Sequence, residues 1–338
     1  MKKDLYWQSF RGICILSVVL IHCNGYSTDL NFFDVNSVYY LFFRNIVNFP
    51  VACLFFLSGY FVKNDVTISW IRKRLTRLVI PYLVFSSGYI GIQLALFLKN
   101  TDFIGLKEYV YSIPRILLLG EAATPLYFTI VLIYFTLLLP ILTRIAKSKL
   151  WVMPYLLTIL MQITMYVIKI KYESSIKYFI LTPIWIGFYY LGICFKIRKM
   201  EIKIQKKTAI GMLVCTLGWQ IGESIILFLL GAGEFAFSQL RFSGFGYALS
   251  IIIVAILFYR KVNSNFLSYV GDNSYSIYMI HCFYMQFMWI IYSKYHLETY
   301  PLVLIQIAET LISILLSLVS IIVIKRIFKK KSQLFFGI

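Results

Sequence analysis

Apolar stretches about as long as a lipid bilayer is thick recur along this whole chain, joined by short polar segments. A helix needs roughly 20 apolar residues to cross the hydrocarbon core, and only helices and closed barrels satisfy their backbone hydrogen bonds there. About ten such stretches are present, at 10 to 28, 38 to 62, 78 to 98, 125 to 145, 150 to 168, 177 to 196, 208 to 230, 242 to 259, 266 to 292 and 301 to 324. Hydrophobic residues make up 60% of the 338 and charged residues 14%, with a mean hydropathy of +0.79, which leaves no room for a sizeable soluble domain. The expectation is an all-α polytopic integral membrane protein of about ten transmembrane helices, with residues 1–338 forming one membrane domain. The 99 to 124 connection is the longest joint, with room for a re-entrant segment.

The net charge of +19 does not mark a nucleic-acid surface, because the basic residues cluster between apolar runs. Most lie in alternate joints: at Lys2 and Lys3, at 63 to 77, 144 to 149, 196 to 207 and 260 to 261, and from Lys325 to Lys331. The positive-inside rule then places both termini in the cytoplasm. The amino terminus resembles a signal peptide in its charge, but Arg11 interrupts the apolar run and no small-residue cleavage site follows, so it reads as an uncleaved first span. Six scattered cysteines, none in C-x-x-C spacing, indicate neither a disulfide framework nor a zinc site.

Ionisable residues at bilayer depth are expensive and mark functional candidates. Arg11 and His22 are eleven residues apart, which advances a helix by about 16.5 Å and turns it by about 1100°, three turns plus roughly 20°. Both side chains therefore share a face, with Arg11 at the cytoplasmic rim and His22 deeper. The pair reads either as a snorkelling anchor with a packed histidine, or as a cation holding a polyanion below a general base whose ordinary pKa near 6.5 suits proton uptake. Phe55-Phe56-Leu57-Ser58-Gly59-Tyr60 ends the second span, and its Ser-Gly step permits close helix approach. In Arg72-Lys73-Arg74-Leu75-Thr76-Arg77, Arg74 and Arg77 share a helical face, as a phosphate clamp or as a positive-inside anchor. Gly271 to His281 brings small polar groups to the start of a span, with Asp272 or Asn273 as its cap and His281 as a ligand-contact candidate. Glu121, Glu223, Arg241 and Glu309 are most simply internal ion pairs.

Together these stretches resemble acyltransferase family 3, bacterial integral membrane O-acyltransferases that act on surface polysaccharides and cell-wall glycans. The resemblance rests on Arg11-x10-His22 within SFRGICILSVVLIH, followed in order by LFFLSGYF, RKRLTRLVIPY, PLYFTIVLIYF and SYSIYMIH, and it covers essentially the whole chain. It implies a ten-helix core in the bacterial plasma membrane, acyl-CoA (most simply acetyl-CoA) entering from the cytoplasm, and a glycan or lipid-linked polysaccharide acceptor on the other side. His22 would be the catalytic histidine, with Arg11 its partner, and Arg74 and Arg77 would serve the donor site. Ser58 is placed there by motif position, and Tyr127, His281 and Ser276 are further acceptor or site contacts. Tyr127 stands where many members have tryptophan. No hydrolase-like domain follows the last span, which bears on any onward relay of the acyl group.

The implied chemistry needs no metal. A thioester is already activated, so the protein must orient a hydroxyl, remove its proton and stabilise the oxyanion. Acyl-CoA, the glycan and membrane lipids are the expected partners, nucleic acid is not, and self-association stays open. The main rival is a transporter or flippase for lipid-linked sugars, against which stands the lack of an inverted repeat or of two Gly/Pro-broken helices in corresponding halves. A structural subunit of a polysaccharide assembly complex would leave Arg11 and His22 unexplained.

Overall fold

Asp4 starts the first helix, its carboxylate accepting from the backbone N–H groups of Tyr6 (3.0 Å) and Trp7 (3.4 Å). This cap sets the start at Leu5, earlier than residue 10, and carries Arg11 inside the helix. The computed structural model describes residues 4–23, 35–63, 65–172, 182–261, 263–296 and 300–338. Within them all regular structure is helical: α1 (Leu5–His22), α2 (Val35–Val47), α3 (Pro50–Tyr60), α4 (Ile68–Lys99), α5 (Phe103–Leu119), α6 (Tyr127–Lys147), α7 (Met153–Tyr172), α8 (Thr182–Ile197), α9 (Lys206–Leu229), α10 (Phe242–Leu257), α11 (Asn265–Asp272), α12 (Ser274–Lys294), α13 (Leu302–Phe328) and α14 (Ser332–Phe335). The ends of the first span (24 to 28) and the start of the sixth (177 to 181) lie outside the described residues.

Seven segments among these are long and apolar enough to cross a membrane, and α7 and α8 hold shorter apolar runs. The protein is a multi-pass membrane protein. Two expected spans are interrupted. The second breaks at Asn48-Phe49 into α2 and α3, because Pro50 opens α3 and a helix seldom continues through the residue before a proline. The ninth breaks at Asn273 into α11 and α12. The two breaks fall in the second and ninth expected spans, which are not corresponding positions of the two halves. The long connection holds α5, which folds back along α4: the Phe97 and Tyr109 rings lie 5.4 Å apart, and Tyr82 donates to the Leu117 carbonyl at 2.6 Å. Gly120, at φ 74°, closes α5 in the left-handed conformation.

Glycines set the closest helix contacts. A Cβ on Gly12 would lie 2.1 Å from the Leu267 carbonyl oxygen, and one on Gly271 would lie 1.9 Å from that of Gln8, so α1 and α11 touch backbone to backbone. Gly59 lies equally close to Tyr189 of α8, so the Ser-Gly step does mark a close approach. Asn273 occupies the N-cap position of α12, but its side chain does not cap the helix. Its amide donates to the Tyr269 carbonyl (2.8 Å), and its oxygen accepts from Lys325 (2.9 Å).

The basic joints meet at one end of the bundle. Lys196 bonds the Val62 carbonyl, Arg198 bonds that of Ala146 at 3.0 Å, and Tyr259 bonds Asp4. At the opposite end Arg44 donates to the Ile21 carbonyl and Asn48 to that of Phe237 (3.0 Å). Arg241, fully buried there, donates to the carbonyls of Ser238 (3.0 Å) and Gln220 (2.8 Å) and to Asn45 Oδ1. Glu223 accepts from the Tyr166 hydroxyl and from the Ser243 N–H (2.9 Å). Arg241 and Glu223 act on each other electrostatically, while their hydrogen bonds go to other groups. Glu121 meets Arg115 at 3.6 Å.

Candidate functional site

Arg11 and Ile15 are one helical turn apart on α1, and both line a partly open cavity of about 190 Å³. Leu54 and Ser58 of α3, Leu78 of α4, Phe128 and Leu132 of α6, and Ser274, Tyr275 and Tyr278 of α12 complete the wall. The Arg11 guanidinium reaches Gln8 at 3.4 Å, lies 5.6 Å from the Phe61 ring, and has the Asp272 carboxylate within electrostatic reach. Arg74 closes the same end. It donates to the Ser58 carbonyl at 3.3 Å and stacks over Trp70 (5.2 Å) and Tyr189 (6.0 Å). Arg77, one turn further along α4, is exposed.

From the cavity, α12 leads to the histidines. Tyr275, Tyr278 and His281 are spaced by three, so they stack along one helical face. The Tyr278 and His281 rings are 6.1 Å apart, and the His281 ring is 5.7 Å from that of His22, inclined at 45°. His281 is wholly buried, and its Nδ1 lies 3.1 Å from the Ile277 carbonyl oxygen. A carbonyl oxygen only accepts, so Nδ1 carries the proton and Nε2 of the neutral ring keeps its lone pair. Cys282 Sγ is 3.5 Å from that Nε2. Arg44, bonded to the Ile21 carbonyl in the last turn of α1, places a cation at the helix end beside His22.

The structure thus brings together Arg11, Ser58 and Arg74 at the basic end and His22 with His281 deeper in the bundle. Tyr127 opens α6 beside Tyr278, near this path but outside the cavity wall. Ser276 lies elsewhere. It is buried and donates to the Gly337 carbonyl at 3.2 Å, which ties α12 to the segment after α14. The sequence did not single out Tyr275, Tyr278 or Arg44; the three-residue spacing of Tyr275, Tyr278 and His281 was the available signal for the first two. A larger groove of about 580 Å³, bordered by Trp219, Glu223 and Phe242, lies on α9 and α10. Its lining is apolar, and its one carboxylate already accepts from Tyr166 and Ser243, so it offers no reacting group. Among the described residues no three His, Cys, Asp or Glu side chains gather as a metal-binding group.

Residues 4–326 match the family model of an acyltransferase domain, acyltransferase family 3. The chain belongs to this family. No curated protein and no solved structure matches it. The family-3 match runs from the cap of α1 almost to the end of α13, so it takes in every residue of the cavity and both histidines.

Proposed function

We propose that this acyltransferase moves an acyl group, acetyl in the simplest case, from cytoplasmic acyl-CoA to a hydroxyl of an extracytoplasmic or lipid-linked polysaccharide, within a ten-span bundle of the bacterial plasma membrane. The observation that carries this reading is the row of Tyr275, Tyr278 and His281 on one face of α12, which joins the wall of the Arg11 cavity to the ring of His22. The basic end faces the cytoplasm by the positive-inside rule. CoA phosphates then meet Arg11, Arg74 and Arg77 through charge-assisted hydrogen bonds, while the slender pantetheine arm runs into the cavity. His22 removes the proton of the sugar hydroxyl, the hydroxyl oxygen attacks the thioester carbonyl, the C–S bond breaks, and the proton leaves with the CoA thiolate. His281 is the positioning residue: its Nδ1–H is committed to Ile277 and its Nε2 to the Cys282 thiol, so its ring is held in one orientation against that of His22.

A carrier for lipid-linked sugars is the second reading, favoured by the interruptions between α2 and α3 and between α11 and α12. One assay separates the two. Purified protein supplied with labelled acetyl-CoA and glycan should release CoA and label the glycan, and His22→Ala should lower that rate by about 10² to 10⁴ while leaving insertion and melting temperature near wild type. Full activity in the variant would remove His22 from the chemistry, and glycan movement without CoA release would favour the carrier.

A further inference from the structure

The Arg11 cavity stops short of the histidines. Its wall runs along α12 from Ser274 to Tyr278 and along α6 from Leu132 back to Phe128, and neither His22 nor His281 borders it. Phe128 and Tyr278 therefore close its inner end. Both are buried, their rings stand 5.5 Å apart at an inclination of 60°, and the Tyr278 hydroxyl reaches the Phe128 backbone. Phe128 is also packed against Phe55, ring to ring at 4.4 Å. On its other side the Tyr278 ring lies 6.1 Å from that of His281, which lies 5.7 Å from that of His22. One aromatic side chain thus separates the space next to Arg11 from the imidazole pair. Such a partition has a chemical use, because a thioester beside a general base is open to attack by water as well as by a sugar, and a closed site prevents that loss.

We propose that Tyr278 is a gate: its ring shuts the donor cavity off from His22 and His281, and turns aside when the acyl group passes to His22. The proposal rests on the acyl-transfer reading. With the ring removed, water takes the place of the sugar hydroxyl: His22 removes a proton from it, its oxygen bonds to the acyl carbon, the C–S bond breaks, and acetate and CoA leave. Two measurements are made on the full chain in detergent. The first is modification by diethyl pyrocarbonate, which acylates an accessible imidazole nitrogen, read at wholly buried His281 against exposed His296. The second is CoA release from acetyl-CoA without glycan. A minor open state is populated at about 0.1 to 10%, so Tyr278→Ala should raise both the His281 modification and the CoA release by at least about tenfold. Adding His22→Ala should return the CoA release to the wild-type level and leave His281 reactive. Leu139→Ala, which opens the buried core three turns along α6, should behave as wild type in both measurements. If Tyr278→Ala does not fold, Tyr278→Leu is read in the same way. Protection of His281 in the variant, an equal rise in Leu139→Ala, or CoA release that persists without His22 would overturn the gate. If His281 becomes reactive only when Tyr278 is changed, yet neither wild type nor variant releases CoA with or without glycan, the partition stands and the acyl-transfer reading falls.

Discussion

Arg74 and Arg77 are three residues apart on α4, yet their surroundings differ. Arg74 is held by the Ser58 carbonyl and by two aromatic rings, so removing it loosens the joint between α3 and α4 as well as any donor contact. Arg77 is exposed and can follow a ligand without disturbing the fold, which makes it the cleaner probe. Arg77→Ala should weaken donor binding by about 1.5 to 3 kcal/mol, the range for hydrogen bonds to charged groups. The loss should appear in the KM for acetyl-CoA and leave kcat near wild type, since a contact remote from the thioester is made equally in ground and transition states. With dephospho-CoA donors the mutation should add little if its partner is the ribose phosphate. An unchanged KM would make Arg77 a topological anchor only. Arg11, His22 and His281 were legible in sequence because charge or imidazole inside an apolar run is conspicuous. Tyr275 and Tyr278 were not, because aromatic side chains are ordinary in membrane helices and only packing shows that these two line the Arg11 cavity.

At the scale of elements, the site depends on how closely α1 lies against α11. Arg11 follows directly from the backbone contact at Gln8, Gly12 and Gly271, so anything that separates the two helices moves the guanidinium out of the cavity. Gly12→Ala places a methyl group 2.1 Å from the Leu267 carbonyl oxygen, against backbone that cannot rotate away. It should destabilise the protein by about 1 to 3 kcal/mol, the usual range for overpacking, and raise the KM for acetyl-CoA. Gly91→Ala on α4 has nothing within 4 Å of the new methyl group and should leave the melting temperature unchanged or slightly higher. Equal melting curves for the two variants would refute the packing argument. Element boundaries were less legible than element existence. Pro50 announces the break before α3, whereas the break at Asn273 depends on a tertiary contact with Lys325. Helix α12 is absent from the strongly apolar segments. Ser274, Tyr275, Tyr278 and His281, which lower its hydropathy, also build the cavity and the histidine pair.

Over the whole molecule, charge and connectivity agree. The joints predicted to share the cytoplasmic side are brought together by the bonds from Lys196 to Val62, Arg198 to Ala146 and Tyr259 to Asp4. These contacts give one basic end without fixing its orientation in the membrane, which the positive-inside rule assigns to the cytoplasm. Glu201, exposed between α8 and α9, lies in a basic joint, and Asn100, exposed after α4, lies at the other end of a long helix whose first turns carry Arg72, Lys73, Arg74 and Arg77. In cells whose exposed Cys215 has been replaced by alanine, a cysteine at Asn100 should react with a membrane-impermeant thiol reagent. A cysteine at Glu201 should react only after permeabilisation. The reverse pattern would place Arg11, Arg74 and Arg77 on the outer face, where CoA is absent, and would remove the donor route while leaving the geometry of the histidine pair intact. Labelling of both positions in intact cells would instead mean that the helices between Asn100 and Glu201 cross the membrane an even number of times, and the ten-span arrangement would fail.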